Sequence, residues 1–299
     1  MKSTILVIGS SNTDMVIKAP HLPVPGETIL GGTFLMNPGG KGANQAVAAA
    51  RLGGAVTFIC KTGNDIFGNQ SIQLFKDEGI DTAFIFKDPQ QPSGVALITV
   101  DNNGENCIAV ASGANANLTP RDLITVSHCI EKAAIILMQL EIPVETVAYA
   151  AAVAADHNKI FILNPAPVCA LNDELLKHVS IITPNETEAS MLTGIKVTDE
   201  ATAEQAAGLL HARGIATVII TLGSKGALVS HEGKCSLVPT PVVQAVDTTA
   251  AGDTFNGALA AALSENIAMV AAVEFACKAA AFSVTRLGAQ ASAPYRHEL

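Results

Sequence analysis

Apolar residues along this chain gather in short unbroken runs, separated by stretches in which they return every third or fourth position. Ile5-Leu6-Val7-Ile8 is the first run, stopped by Gly9. A run this short with no polar alternation predicts a strand buried on both faces. The same pattern predicts strands over residues 55–60, 134–138, 160–163, 181–182 and 217–221. Helical periodicity predicts helices over 42–52, closed by Gly53-Gly54, and from a cap at Asp65 to about residue 78. It also predicts helices over 144–156, 186–192 and 201–213, and two more over about 252–264 and 268–285. Strand and helix in alternation argue for an α/β fold, with a mostly parallel central sheet and helices on both faces.

Four pieces break that rhythm. Residues 13–18, 28–36, 94–100 and 106–111 read as extended. Pro20, Pro23, Pro25 and Gly26 make the connection between the first two turn-rich. Asp101-Asn102-Asn103-Gly104-Glu105, with its Asn-Gly pair, joins the last two as a hairpin. A second hairpin turns at Glu232-Gly233, between strands at 227–230 and 235–238. The early antiparallel pieces are expected to form a small separate sheet. No repeat, linker or low-complexity stretch divides the chain. Residues 1–299 therefore read as one domain carrying a β appendage, a lid built from about 13–18, 28–36 and 94–111.

Composition narrows the function classes. Hydrophobic residues make up 49% and charged residues 15%, far from a disordered composition. The formal net charge of −9, with no cluster of Lys and Arg, argues against a nucleic-acid partner. Cys60, Cys107, Cys129, Cys169, Cys235 and Cys277 form no CxxC pair, so neither a zinc site nor a disulfide framework is expected. The first residues lack the h-region and cleavage site of a signal peptide. The most apolar long stretch, 267–284, carries Glu274 and Lys278 and reads as a buried amphipathic helix rather than a membrane span. The expectation is a cytoplasmic protein with no membrane partner.

Chemistry concentrates in six segments. In Asp247-Thr248-Thr249-Ala250-Ala251-Gly252-Asp253, a strand-like run at 242–246 leads into small residues and then a helix. Unpaired N–H groups and the dipole at a helix start suit a phosphate, and Asp253 would stand beside it as a base. The plain alternative is a tight turn capped by an aspartate. Pro38-Gly39-Gly40-Lys41-Gly42-Ala43-Asn44 is a glycine-rich turn into a helix, with neither GxxxxGK[ST] nor GxGxxG spacing. Asn12-Thr13-Asp14 follows the first strand, and Glu141 follows another. Polar groups at the carboxyl ends of parallel strands are where open α/β sheets take ligands. Asn185-Glu186-Thr187-Glu188 by itself is a helix start with first-turn acids, which the dipole favours anyway. Thr221-Leu222-Gly223-Ser224-Lys225-Gly226 is a strand end with a flexible turn. The sixth segment is 283–292, from Ser283 to Ser292.

Taken in order, these segments resemble the ribokinase family of carbohydrate kinases, and the resemblance covers essentially the whole chain. It implies a ribokinase-like α/β fold and an ATP-dependent phosphorylation of a sugar. Asp253 corresponds to the catalytic base, with the amides of Ala250, Ala251 and Gly252 as an anion hole. Asn12, Asp14, Gly40, Lys41, Asn44 and Glu141 correspond to the sugar site. The Gly-Gly-Lys-Gly-Ala-Asn form favours D-ribose, phosphorylated on its 5-hydroxyl. Asn185 and Glu188 correspond to the element that organises Mg2+ and phosphates, largely through water. Thr221, Gly223, Ser224, Gly226, Gly252 and Cys277 correspond to the ATP site. Asp247, Thr249, Ser283, Arg286, Gly288 and Ser292 resemble a K+ site in which Arg286 gives its carbonyl. The resemblance also implies a homodimer through the lid. Cys277 departs from the pattern, since related sequences often carry Asn or His there. Fructose, ketodeoxygluconate, adenosine or pseudouridine remain alternative acceptors. A non-catalytic sugar-binding protein is a more distant reading, and a Rossmann oxidoreductase lacks its fingerprint.

Overall fold

The computed structural model describes residues 4–299. The strands are β1 (Thr4–Ile8), β2 (Asn12–Lys18), β3 (Thr33–Gly39), β4 (Ala55–Ile59), β5 (Lys61–Gly63), β6 (Phe86–Asp88), β7 (Gly94–Val100) and β8 (Asn106–Ala111). They continue with β9 (Ile135–Met138), β10 (Ile160–Leu163), β11 (Ile181–Ile182), β12 (Thr217–Thr221), β13 (Ala227–His231) and β14 (Lys234–Val238). The helices are α1 (Lys41–Arg51), α2 (Ile66–Asp77), α3 (Pro120–Thr125), α4 (Ser127–Lys132) and α5 (Val144–Asp156). They end with α6 (Asp173–Leu176), α7 (Glu186–Thr193), α8 (Glu200–Ala212), α9 (Ala251–Ser264) and α10 (Met269–Ser283).

An eight-stranded sheet runs β14-β13-β12-β11-β10-β9-β1-β4, parallel from β12 to β4 and antiparallel where the β13–β14 hairpin extends it. The apolar runs alternate between its two faces. In β1, Leu6 and Ile8 join the core under α5 and α8, while Ile5 and Val7 join the core under α1, α9 and α10. Burial on both faces is what removed polar alternation from those runs.

The four irregular pieces do form their own sheet, in the order β3-β2-β7-β8, antiparallel in the outer pairs but parallel, against the antiparallel expectation, where β2 meets β7. Two further expectations need correcting. The extended segment placed at 28–36 becomes a strand only from Thr33, because residues 28–32 have no partner strand. The strand-like run at 242–246 pairs with no strand among the described residues. Its apolar side chains are exposed, Val242 completely, and its last N–H, at Val246, donates to Val284 O at 2.7 Å. Its hydrophobicity serves a cavity rather than the sheet. The short parallel pair β5–β6 was not anticipated.

Candidate active site

The carboxyl ends of β1, β9, β10, β11 and β12 point the same way and deliver Ser10, Gln139, Asn164, Thr183 and Thr221 to one edge of the sheet. Helices α1 and α9 begin at that edge and pack on each other. The close approach requires Gly257. A Cβ there would lie 2.7 Å from Ala48 Cβ and Gln45 O.

α1 starts in an unusual way. Its cap, Gly40, has φ 89°, a conformation other residues avoid, and supplies no side chain. Glu141 caps the helix from a different loop: its Oε2 accepts from Lys41 N at 2.9 Å and from the Ser10 hydroxyl. The Lys41 amide, expected to meet sugar hydroxyls, is therefore occupied, and one Glu141 oxygen is committed to holding α1. A Cβ on Gly39 would lie 2.2–2.4 Å from the Asp14 carboxyl, so glycine makes the seat for that side chain. Asn12 is oriented by Asn115, whose Nδ2 donates to Asn12 Oδ1 at 2.7 Å, leaving the Asn12 amino group as a donor. Asn44 Oδ1 is buried with no partner, as an acceptor awaiting a hydroxyl would be.

Asp253 lies on the first turn of α9 and is 6% exposed. Asn44 Nδ2 donates to its Oδ2 and Gln45 Nε2 to its Oδ1, each at 2.9 Å. Burial raises its pKa, while Lys41, Asn44 and Gln45 oppose the rise. Asp14 is pushed up to about 6 by burial and by the charges of Glu141 and Asp253. Burial likewise raises Glu188. Burial works against the Lys41 ammonium, yet Asp253, Glu141 and Glu188 together outweigh it and raise its pKa. The site is thus a set of carboxylates around one lysine.

The N-terminus of α9 is a tight αL turn at Ala250, with φ 58°. Ala251 N turns to Thr248 O in a long 3.3 Å bond, so the free first-turn donors shift toward Gly252 and Asp253. A cleft of about 550 Å³ opens on one side of this turn. Its walls include Thr221, Gly223, Ser224, Gly226, Gly252 and Cys277, all six of the expected nucleotide contacts on that side, with the 242–246 segment closing it. Cys277 is buried and its thiol is pushed up to about 12 by burial, so it is an apolar wall. A smaller cavity of about 170 Å³ holds Lys41, Glu188 and Asp253. The two cavities share Ala251 and Gly252. Asn185 and Glu188 form a reciprocal capping box on α7, which leaves one Glu188 oxygen facing that smaller space.

In the tail, Asp247 Oδ1 accepts from Thr249 N and Oδ2 from Gly288 N, both at 2.9 Å. Burial would raise Asp247, but bonds from Thr249 and Gly288 outweigh it and hold it below the usual range. Ser283 and Ser292 are buried and donate to Ala280 O and Ala289 O. Arg286 spends its charge on Glu298. No group of three or more His, Cys, Asp or Glu residues suited to a metal ion occurs among the described residues.

Residues 2–296 match the family model of the pfkB family carbohydrate kinases. The chain belongs to that family. A ribokinase of Haemophilus influenzae is 48% identical over 298 residues, spanning 100% of this chain and 97% of the relative. A deoxyribokinase of Salmonella typhimurium is 39% identical, spanning 97% and 95%. The structure of Arabidopsis thaliana ribokinase complexed with ribose and ATP superposes with a TM-score of 0.93 at 33% identity, covering 99% of this chain and 97% of that one. The chain is an ATP-dependent sugar kinase with a ribokinase-like α/β fold. No helix among its described residues is long and apolar enough to cross a membrane.

Sequence reading passed over Gln45, Asn115, Asn164, Thr183 and Asn256. Gln45 directly follows Asn44 of the glycine-rich segment, and Asn164 and Thr183 directly follow strands, which is the available signal. Their partners lie far away in sequence, 208 residues for Gln45 and Asp253.

Proposed function

We propose that this kinase transfers the γ-phosphoryl group of ATP to the 5-hydroxyl of D-ribose, giving D-ribose 5-phosphate and ADP. The observation that carries the reading is the position of Asp253. It lines the small cavity directly after Gly252, which lines both that cavity and the large cleft, and its carboxylate is bonded to Asn44 of the sugar segment. Asp14, the Asn12 amino group and the free Asn44 Oδ1 form the sugar-binding set, with acceptors and donors matched to hydroxyls. The 550 Å³ cleft takes the nucleotide.

An alcohol does not ionise at neutral pH. Asp253 takes its proton as the new P–O bond forms, and the leaving ADP carries the negative charge away. Charge on the phosphoryl group meets the Gly252 and Asp253 N–H groups and the positive end of α9. Positioning and electrostatics supply most of the acceleration. Asn185 and Glu188 would hold a hydrated Mg2+, which shields the phosphates. Asp247, the Thr249, Ser283, Arg286 and Gly288 carbonyls and Ser292 would hold K+, whose charge adds to the field at the same turn. The four-stranded sheet serves as a lid within a single domain. Both of its faces expose apolar side chains, with Phe34 at 59% and Leu97 and Ile108 at 57%. A second copy of the chain is the partner that would cover them, making a homodimer in the cytoplasm.

The test is ADP release with magnesium-ATP and potassium, across ribose, 2-deoxyribose, fructose, adenosine and no acceptor. Ribose is expected to give the highest kcat/KM. Preference for 2-deoxyribose would move the acceptor, and no release with any sugar would remove the reading.

A further inference from the structure

The base and the anion hole are joined behind the site by a circuit of buried amides. Gln45 occupies its centre. Its Nε2 donates both to Asp253 Oδ1 at 2.9 Å and to Asn164 Oδ1 at 3.1 Å, and its Oε1 accepts from Gln139 Nε2 at 2.6 Å. From Asn164 the chain continues: Nδ2 donates to Thr183 O, and the Thr183 hydroxyl donates to Asn256 Oδ1 at 2.6 Å. Asn256 Nδ2 then donates to Gly252 O at 2.8 Å. That carbonyl belongs to the peptide whose N–H is the Asp253 amide. All five side chains lie within 6% exposure.

The directions are dictated by chemistry. An ionised Asp253 only accepts, so Gln45 must turn its NH2 toward it. Its carbonyl then faces Gln139, whose donation polarises the Gln45 amide and strengthens the bond to Asp253. At the other end, a bond accepted by Gly252 O polarises the Gly252–Asp253 peptide. Its N–H becomes a stronger donor toward the transferring phosphoryl group.

We propose that Gln45 is a positioning residue that holds Asp253 ionised and aimed, and that Asn164, Thr183 and Asn256 tie this base to the anion-hole peptide as one unit. The inference rests on Asp253 being the base of the proposed transfer. Gln45 lines neither cavity, so it acts through the groups it bonds, Asp253 and Asn164, both of which line the smaller one. Lys41 from α1, Glu141, Asp14 and Glu188 also face Asp253 or one another across the site, and a variant that leaves them in place isolates the amide.

Gln45→Met keeps the shape and removes the donors. The carboxyl of Asp253 is followed by carbon-13 NMR of aspartate-labelled protein, its resonance assigned by loss in Asp253→Asn. In Gln45→Met its titration midpoint is expected to rise by about one to two pH units. kcat is expected to fall about 10-fold or more, with ribose affinity by calorimetry changing less than about 3-fold. A structural role alone would lower Tm and leave the midpoint in place, and an unmoved midpoint overturns the proposal. If Gln45→Met does not fold, Gln139→Leu gives the same decision, with a smaller upward shift expected and no shift overturning it. The midpoint needs no turnover. A protein whose midpoint moves as stated but which phosphorylates no sugar loses the proposed function and keeps this inference about Asp253.

Discussion

Replacing Gly257 by alanine tests whether the contact between α1 and α9 sets the catalytic geometry. In α9 the new Cβ would stand 2.7 Å from Ala48 Cβ and Gln45 O, and 2.8 Å from Ala49 N. Ordinary contact begins near 3.4 Å, so the helices must separate by about 0.7 Å. Backbone atoms form two of those contacts and cannot swing aside. Overpacking of this kind costs about 1–3 kcal/mol, against a helix-propensity gain of about 1 kcal/mol. The net loss lowers Tm by a few degrees. The same separation stretches the two 2.9 Å bonds from Asn44 and Gln45 to Asp253 toward the limit of a hydrogen bond. kcat should fall by about 10-fold or more. Gly208→Ala in α8 is the control, because nothing lies within 4 Å of its added Cβ. That change should raise stability by up to about 1 kcal/mol and leave kcat alone. Thermal unfolding and steady-state ADP release are measured for both. A Gly257→Ala protein that is stabilised like Gly208→Ala, with kcat intact, would refute the packing argument.

Further outcomes follow from the sugar segment and the tail. Gly39→Ala, whose Cβ would lie 2.2–2.4 Å from the Asp14 carboxyl, should weaken ribose binding by about 10-fold or more while circular dichroism stays unchanged. Ribose affinity should drop as pH falls through about 6, where Asp14 gains its proton and loses acceptor capacity, as calorimetry across pH 5 to 8 would detect. The sign for stability is the opposite. Between the ordinary 3.8 and about 6 the folded chain binds more protons than the unfolded one, so this group's contribution declines as pH rises through that window. Asp14→Asn should therefore raise Tm at pH 8 and lower sugar affinity. Asp247→Ala removes the acceptor for Thr249 N and Gly288 N, and should abolish the dependence of turnover on potassium concentration.

Much of the architecture was legible because its signal is local. The unbroken runs at 5–8 and 160–163 announce buried parallel strands, and the glycine-rich turn into 42–52 announces α1. The run at 242–246 misled because hydrophobicity says that a segment is apolar, not what it faces; here Val242, Val243 and Ala245 line a cleft instead of pairing in a sheet. Asp253, Asn44 and Asp14 were readable through resemblance. Gln45, Asn164, Thr183 and Asn256 were not, because each is a neutral amide or hydroxyl whose role exists only once five separate strand ends and two helices converge. Glu141 shows the mixed case: placed at the site by its position, it also caps α1, a task visible only in three dimensions.

The most direct test compares the chain with its Asp253→Asn variant, measuring ribose and ATP binding by calorimetry and phosphoryl transfer by phosphorus-31 NMR. The account predicts ribose 5-phosphate and ADP in equal amounts from the native chain. It predicts near-native binding but at least about 10²-fold slower transfer in the variant. Near-native turnover with asparagine at this position would contradict it.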